Sequence, residues 1–183
     1  PVPEAEYHNV VLKPSEQQKE IVASLSERAE KVRNKQVDSN EDNMLVITND
    51  GRKLALDQRL INPMLPDSDT GKVAVCAENV YNIWERTTAQ KSTQMVFVDL
   101  STPHNDGQFN VYDDLKKKLL DKGIPESEIA YIHNAKTEAA KKELFGKVRS
   151  GEVRILIGST QKMGAGTNAQ RKLIALHHMD CPW

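Results

Sequence analysis

Residues 153–170 read Val-Arg-Ile-Leu-Ile-Gly-Ser-Thr-Gln-Lys-Met-Gly-Ala-Gly-Thr-Asn-Ala-Gln. The run Ile155, Leu156, Ile157 is a strand signal with no polar alternation, as expected of a strand covered on both faces. It passes directly into the hydroxyls of Ser159 and Thr160, then to Gly164, Gly166 and Asn168. A parallel strand that ends this way delivers backbone N–H groups and small polar side chains to an anion at its carboxyl end.

Outward from this stretch the pattern alternates. Gln94–Leu100 is a mostly apolar strand and Ser101–Gly107 a polar loop. Val111, Leu115 and Leu119 mark a helix stopped by Gly123 and Pro125. Ile129–His133 is a short strand. Thr137 can cap a helix carrying Ala140, Leu144, Phe145 and Val148, and Leu173–Met179 is a further strand after the glycine-bearing segment. Strands joined by helices in this order imply an α/β fold, with a parallel sheet flanked by helices. Ligands in such sheets bind at the carboxyl ends of the strands, here Asp99–Thr102, His133–Lys136, Gly158–Thr160 and Asp180.

The segment before residue 72 reads as a helical and irregular lead-in. Ser15 with Gln18 forms a capping box for a helix near 15–34, with Ile21, Val22, Leu25, Ala29 and Val32 as its apolar stripe. Residues 44–62 carry two signals. Met44–Thr48 with Asn49-Asp50-Gly51 fits a strand and hairpin turn; Asp50 capping a short helix through Leu54, Leu60 and Ile61 is the reading we favour. Val73, Ala77, Val80 and Trp84 set a second long helix at 72–91.

Composition excludes several classes. No apolar run reaches the roughly 18–20 residues of a membrane span, and no signal peptide is readable. Cys76 and Cys181 lack metal or disulfide spacing, so a reducing cytoplasm is the expected setting. The net charge of −1 hides an asymmetry. Residues 1–109 carry 12 Lys and Arg against 17 Asp and Glu, whereas residues 110–172 carry 13 against 8. The basic half can meet phosphate backbones, or its lysines, Lys116-Lys117-Lys118 among them, can be a solvated helix face. The opening Pro-Val-Pro and the stop at Cys181-Pro182-Trp183 lead us to expect an excised fragment.

Gly164-Ala-Gly166-Thr-Asn-Ala169 also matches the dinucleotide pattern G-x-G-x-x-A, but six residues separate Ile157 from Gly164 and no long helix fits before the next strand. No Walker A sequence occurs. His177 and His178 are consecutive on a strand and point to opposite faces, a poor metal pair.

Ser159-Thr160-Gln161-Lys162-Met163-Gly164-Ala165-Gly166-Thr167-Asn168 resembles the fifth conserved motif of superfamily-two helicases, in the form found in Swi/Snf-type translocases. Gln94–Asp99 is similar to the strand of the fourth motif. Tyr131–Thr137 with the following Leu144 and Phe145 is similar to the segment before the fifth. Ala175–Trp183 is similar to the strand ending Asp-x-x-Trp. The wording of the fifth motif resembles the helicase–methylase proteins of bacterial mobile elements. The likeness covers about residues 94–183.

The resemblance implies a second RecA-like domain over 72–183, truncated before the sixth motif, in an ATP-dependent DNA helicase or translocase. ATP and Mg²⁺ would be cofactors of the full-length parent, with none bound tightly by this fragment and no catalytic residue within it. DNA and the first RecA-like domain of the same chain would be the partners, with no membrane involved. Ser101, Thr102, His133, Asn134, Ser159, Thr160 and Lys162 would contact nucleic acid, and Gly164, Gly166, Thr167 and Asn168 would line the ATP cleft. Asn168 has a structural alternative, capping the turn back to the sheet, and Gly164 and Gly166 a left-handed turn. Met163, Thr167 and Asp99 depart from the Swi/Snf-type pattern; Asp99 stands where a serine is common and puts the fourth-motif contact in question. A non-catalytic RecA-like interaction module and a stand-alone nucleotide-binding α/β enzyme are the competing readings.

Overall fold

The computed structural model describes residues 2–164 and 168–182. The helices are α1 (Glu16–Arg33), α2 (Met44–Leu56), α3 (Lys72–Arg86), α4 (Val111–Asp121), α5 (Glu138–Ser150) and the single turn α6 (Thr160–Met163). The strands β1 (Thr93–Phe97), β2 (Ile129–Tyr131), β3 (Ile155–Gly158) and β4 (Leu173–His178) are all parallel and lie in the order β2-β3-β1-β4. This is an α/β fold, a four-stranded parallel sheet flanked by helices, consistent with a RecA-like arrangement.

The strand sequences dictate the layering. Successive side chains point to opposite faces. Val96, Val98, Ile155 and Ile157 therefore share one face with Val73, Ala77 and Val80 of α3 and Leu115 and Leu119 of α4. Met95, Phe97 and Leu156 share the other with Leu144, Phe145 and Val148 of α5. Each such aliphatic side chain, buried, stabilises the fold by about 1.5–3 kcal/mol. β4 is an edge strand, and Ile174 and Leu176 on one of its faces remain about half exposed.

Gly158 stands between the layers for a steric reason. A methyl group there would collide with Ile132 Cγ2 and come within 2.7 Å of Met163 Sδ. Arg154, 3 % exposed, ties the end of α3 to the start of β1. Its guanidinium donates to the carbonyls of Trp84 (2.8 Å) and Ser92 (2.9 Å) and to Thr87 Oγ1 (3.0 Å).

In the lead-in, the capping box of Ser15 and Gln18 forms as the sequence indicates. The region after it differs from expectation. α2 starts at Met44, six residues before Asp50, because Asn43 Oδ1 accepts from both Leu45 N–H and Val46 N–H. Gly51 falls inside the helix, where it lies against Leu25 of α1. Arg59 then fixes α2 to the sheet layer: its guanidinium bridges Asp57 (2.8 Å) to Asp114 of α4 (2.8 Å).

Candidate functional site

The connections leaving β1 and β3 depart to opposite faces of the sheet. β1 leads to α4, which packs with Val96 and Ile157, and β3 leads to α6, whose Met163 packs with Phe97 and Leu156. β1 and β3 are neighbours, so their carboxyl ends form the switch point at which open α/β sheets hold ligands. Ser159-Thr160 stands at this point, directly after β3.

The crevice is bridged from within. Asp99, just past β1, accepts from Thr160 N–H (2.8 Å) and from the Thr160 hydroxyl (2.7 Å). Asp99 N–H and Leu100 N–H in turn donate to the two carboxylate oxygens of Asp180, at 2.8 and 2.7 Å. Burial pushes the Asp180 carboxyl above the usual carboxylate range despite those two bonds. The chain thus runs from the end of β4, through β1, to the turn after β3. Tyr112 of α4 donates to Val98 O and closes the floor.

Thr160, expected at a phosphate, has both donors engaged by Asp99. Ser159 is buried and its hydroxyl accepts from Lys162 N–H, capping α6. Lys162 and Asn134 face solvent, and His133 is half buried. Burial, with Lys162 and His104 nearby, holds the His133 imidazole below its ordinary pKa. His133 Nδ1 is buried without a hydrogen-bond partner and its ring lies edge-on to Tyr112, with centroids 5.3 Å apart. Basic groups therefore gather at this rim while its two carboxylates are turned inward onto N–H and hydroxyl donors.

Ser101 and Thr102 lie one step away. Ser101 adopts φ 58° and its hydroxyl accepts from Val111 N–H (2.8 Å), holding the loop to the start of α4. Both residues line a pocket of about 270 Å³ that Lys53 of α2 and His104 also border. Lys53 carried no signal in the sequence, since a single lysine near a helix end is ordinary.

Three further expectations meet the structure as follows. Gly164 has φ −76°, so no left-handed turn demands it; a methyl there would lie 2.5 Å from Thr160 O. Asn168 does not cap the turn that leads to β4: Ala169 occupies that position, and Asn168 O instead accepts from Arg149 at 2.5 Å. Gly166 and Thr167, along with Ala165 and Trp183, lie outside the described residues. Of the lysine run, Lys116 pairs with Glu126 and Lys118 with Asp67 and Asp114, leaving Lys117 exposed. The carboxylates of Asp57, Asp67 and Asp114 converge as a metal site would. Arg59 and Lys118 already fill the space between them, and the cluster is a charge-paired joint.

His177 and His178 do point apart. His177 Nε2–H donates to Gln94 Oε1 (2.8 Å), because the Gln94 amide nitrogen is committed to Val80 O (2.9 Å). His178 stacks on Phe97, centroids 4.8 Å apart.

Comparison of the chain with protein-family models, with curated proteins and with solved structures gave no match. No helix among the described residues is long and apolar enough to cross a membrane.

Proposed function

We propose that the chain is the second motor domain of an ATP-dependent DNA helicase or translocase. It contributes DNA-backbone contacts and one wall of the ATP cleft formed with a first RecA-like domain of the same parent. The observation that carries the reading is the gathering of Lys162, His133 and His104 at the carboxyl rim of a parallel sheet, beside the Ser159-Thr160 turn. Such a rim suits sequence-independent contact with phosphates, which supplies affinity and strong salt dependence.

Within that reading the roles divide. Lys162 meets a backbone phosphate. Asn134 and His133 border the same strand. Asp99 holds Thr160 in place and keeps a negative charge in the crevice. Gly164 and Asn168 belong to the wall toward the nucleotide. ATP and Mg²⁺ would supply the phosphoryl-transfer chemistry in the parent, with their main phosphate ligands on the partner domain, because this chain has no lysine–hydroxyl pair of the Walker type.

The test is the affinity of this chain for a fluorescein-labelled duplex of random sequence, measured by anisotropy from 50 to 200 mM salt. Binding that weakens steeply with salt, and a Lys162→Gln variant whose slope of log K against log salt is shallower by about 0.9, support the reading. Salt-insensitive binding, or none at 50 mM, overturns it. The chain alone is expected to hydrolyse no ATP.

One observation favours a second reading, a non-catalytic module that kept the fold: both Thr160 donors are engaged by Asp99. Ser159→Ala with Thr160→Ala in the parent would then leave DNA-stimulated ATP hydrolysis unchanged.

A further inference from the structure

The pocket between α2 and the loop after β1 has an unusual inventory. The side-chain ammonium of Lys53, on α2, makes no hydrogen bond or ion pair with any described residue. An ammonium that borders a pocket without an ion-pair partner among the described residues is free to meet an anion there. In the same lining, the Thr102 hydroxyl has no partner among the described residues, and the Ser101 hydroxyl accepts from Val111 N–H and so keeps its own proton to donate. His104 borders the same space from the solvent side, and Phe109 forms an apolar wall. Asp106 is the one acidic group at the rim of the pocket; its carboxylate already accepts from Gln108 N–H (3.0 Å) and forms no ion pair with Lys53. At about 270 Å³ the space exceeds the roughly 30 Å³ that one water occupies in the liquid by a wide margin.

We propose that this pocket is a phosphate subsite, in which Lys53 supplies the charge and Ser101 and Thr102 the hydroxyl donors, and that its occupant is a phosphodiester of the strand whose neighbouring phosphates meet Lys162. The second clause rests on the DNA reading above; the first does not. The lead-in is then part of the grip on nucleic acid. Its position is set by the Arg59 bridge from Asp57 to Asp114, which holds α2 against α4 at the back of the pocket. His104 borders the pocket and also acts electrostatically on His133, which links the pocket to the rim that carries Lys162.

The experiment uses the whole 183-residue chain and its Lys53→Gln, Lys53→Arg and Lys162→Gln variants, with urea midpoints as a check on folding. One arm measures binding of a labelled 20-nucleotide oligothymidylate across salt. The other titrates inorganic phosphate and follows the amide resonances of residues 101–110. The expected result is a several-fold loss of oligonucleotide affinity in Lys53→Gln, a slope shallower by about 0.7, recovery in Lys53→Arg, and phosphate-induced shifts that vanish in Lys53→Gln. Unchanged affinity and slope in Lys53→Gln, with weakening in Lys162→Gln, overturns the subsite and leaves the DNA reading standing. If the parent chain binds no oligonucleotide, the DNA reading falls, and the phosphate arm decides the pocket: Lys53-dependent shifts uphold a subsite for a small phosphate, and no shifts overturn it.

Discussion

Asp99 and Thr160 face each other across the carboxyl ends of β1 and β3 and share two hydrogen bonds, at 2.8 and 2.7 Å. A carboxylate therefore occupies the position in which an anionic ligand would meet the Thr160 N–H and hydroxyl. The contact is both a joint of the fold and a filter on what the crevice accepts.

Replacing Thr160 by Val keeps its shape and removes the hydroxyl bond to a half-buried carboxylate. We expect a loss of about 1–2 kcal/mol in urea unfolding, with Thr160→Ser close to the parent. DNA affinity should be little changed by Thr160→Val. A large drop in affinity at unchanged stability would show that the hydroxyl faces the ligand instead.

Asp99→Ser tests the filter. The variant frees Thr160 N–H and removes a negative charge from the crevice. Tighter DNA binding together with lower stability is the expected outcome. Weaker binding would mean that the carboxylate positions the turn for the ligand.

His177 predicts an acid-sensitive limb. Burial and the neighbouring His178 push its pKa down to about 4, against the ordinary 6.5. Between those values the unfolded chain binds the extra proton more readily than the folded one, so stability falls as pH is lowered from about 6.5 toward 4. The loss from this group is on the order of 2 kcal/mol. His177→Gln retains a donor for Gln94 Oε1 and should flatten the difference between urea midpoints at pH 7 and pH 4.5. His133, also shifted down, titrates in the same direction and remains in both proteins, so the comparison isolates His177. Parallel pH profiles of parent and variant would refute the assignment.

Gly158→Ala should destabilise the chain by about 1–3 kcal/mol, because the new methyl meets Ile132 and Met163 from two sides. Both contacts belong to elements that form the rim. An unaltered urea midpoint would mean that α6 yields without cost.

Much of the architecture could be read from the sequence because the strands are short apolar runs and the helices carry apolar residues at helical spacing. Val96 with Ile157, and Met95 with Leu156, already imply two covered faces. Thr137 and Ser15 act as the caps their positions indicate. The misreading at residues 44–62 has a local cause. Asn49-Asp50-Gly51 has the chemistry of a turn, yet Asn43 caps two N–H groups upstream and the helix runs on through Gly51, which packs beside Leu25 of α1. The candidate site was legible as a location only. Which hydroxyls remain free depends on pairings such as Asp99 with Thr160 and Asp180 with Asp99, between residues 61 and 81 positions apart, and sequence spacing says nothing about those. Lys53 gave no signal for the same reason: its place beside Ser101 and Thr102 is set by contacts across the fold.

The two N–H groups that Asp180 receives also set an order of assembly. Asp99 comes 81 residues before the carboxylate that anchors its backbone, and contacts of such separation form late because a long loop must first be closed. During synthesis the first three strands can pair, and Ser101 can hold Val111 and Asp99 hold Thr160, while the Asp99 and Leu100 N–H groups still lack their carboxylate. Only when the last strand joins the edge of the sheet does the crevice take its final form. A nascent chain halted before residue 180 would carry the sheet's centre without the carboxylate that anchors the backbone after β1.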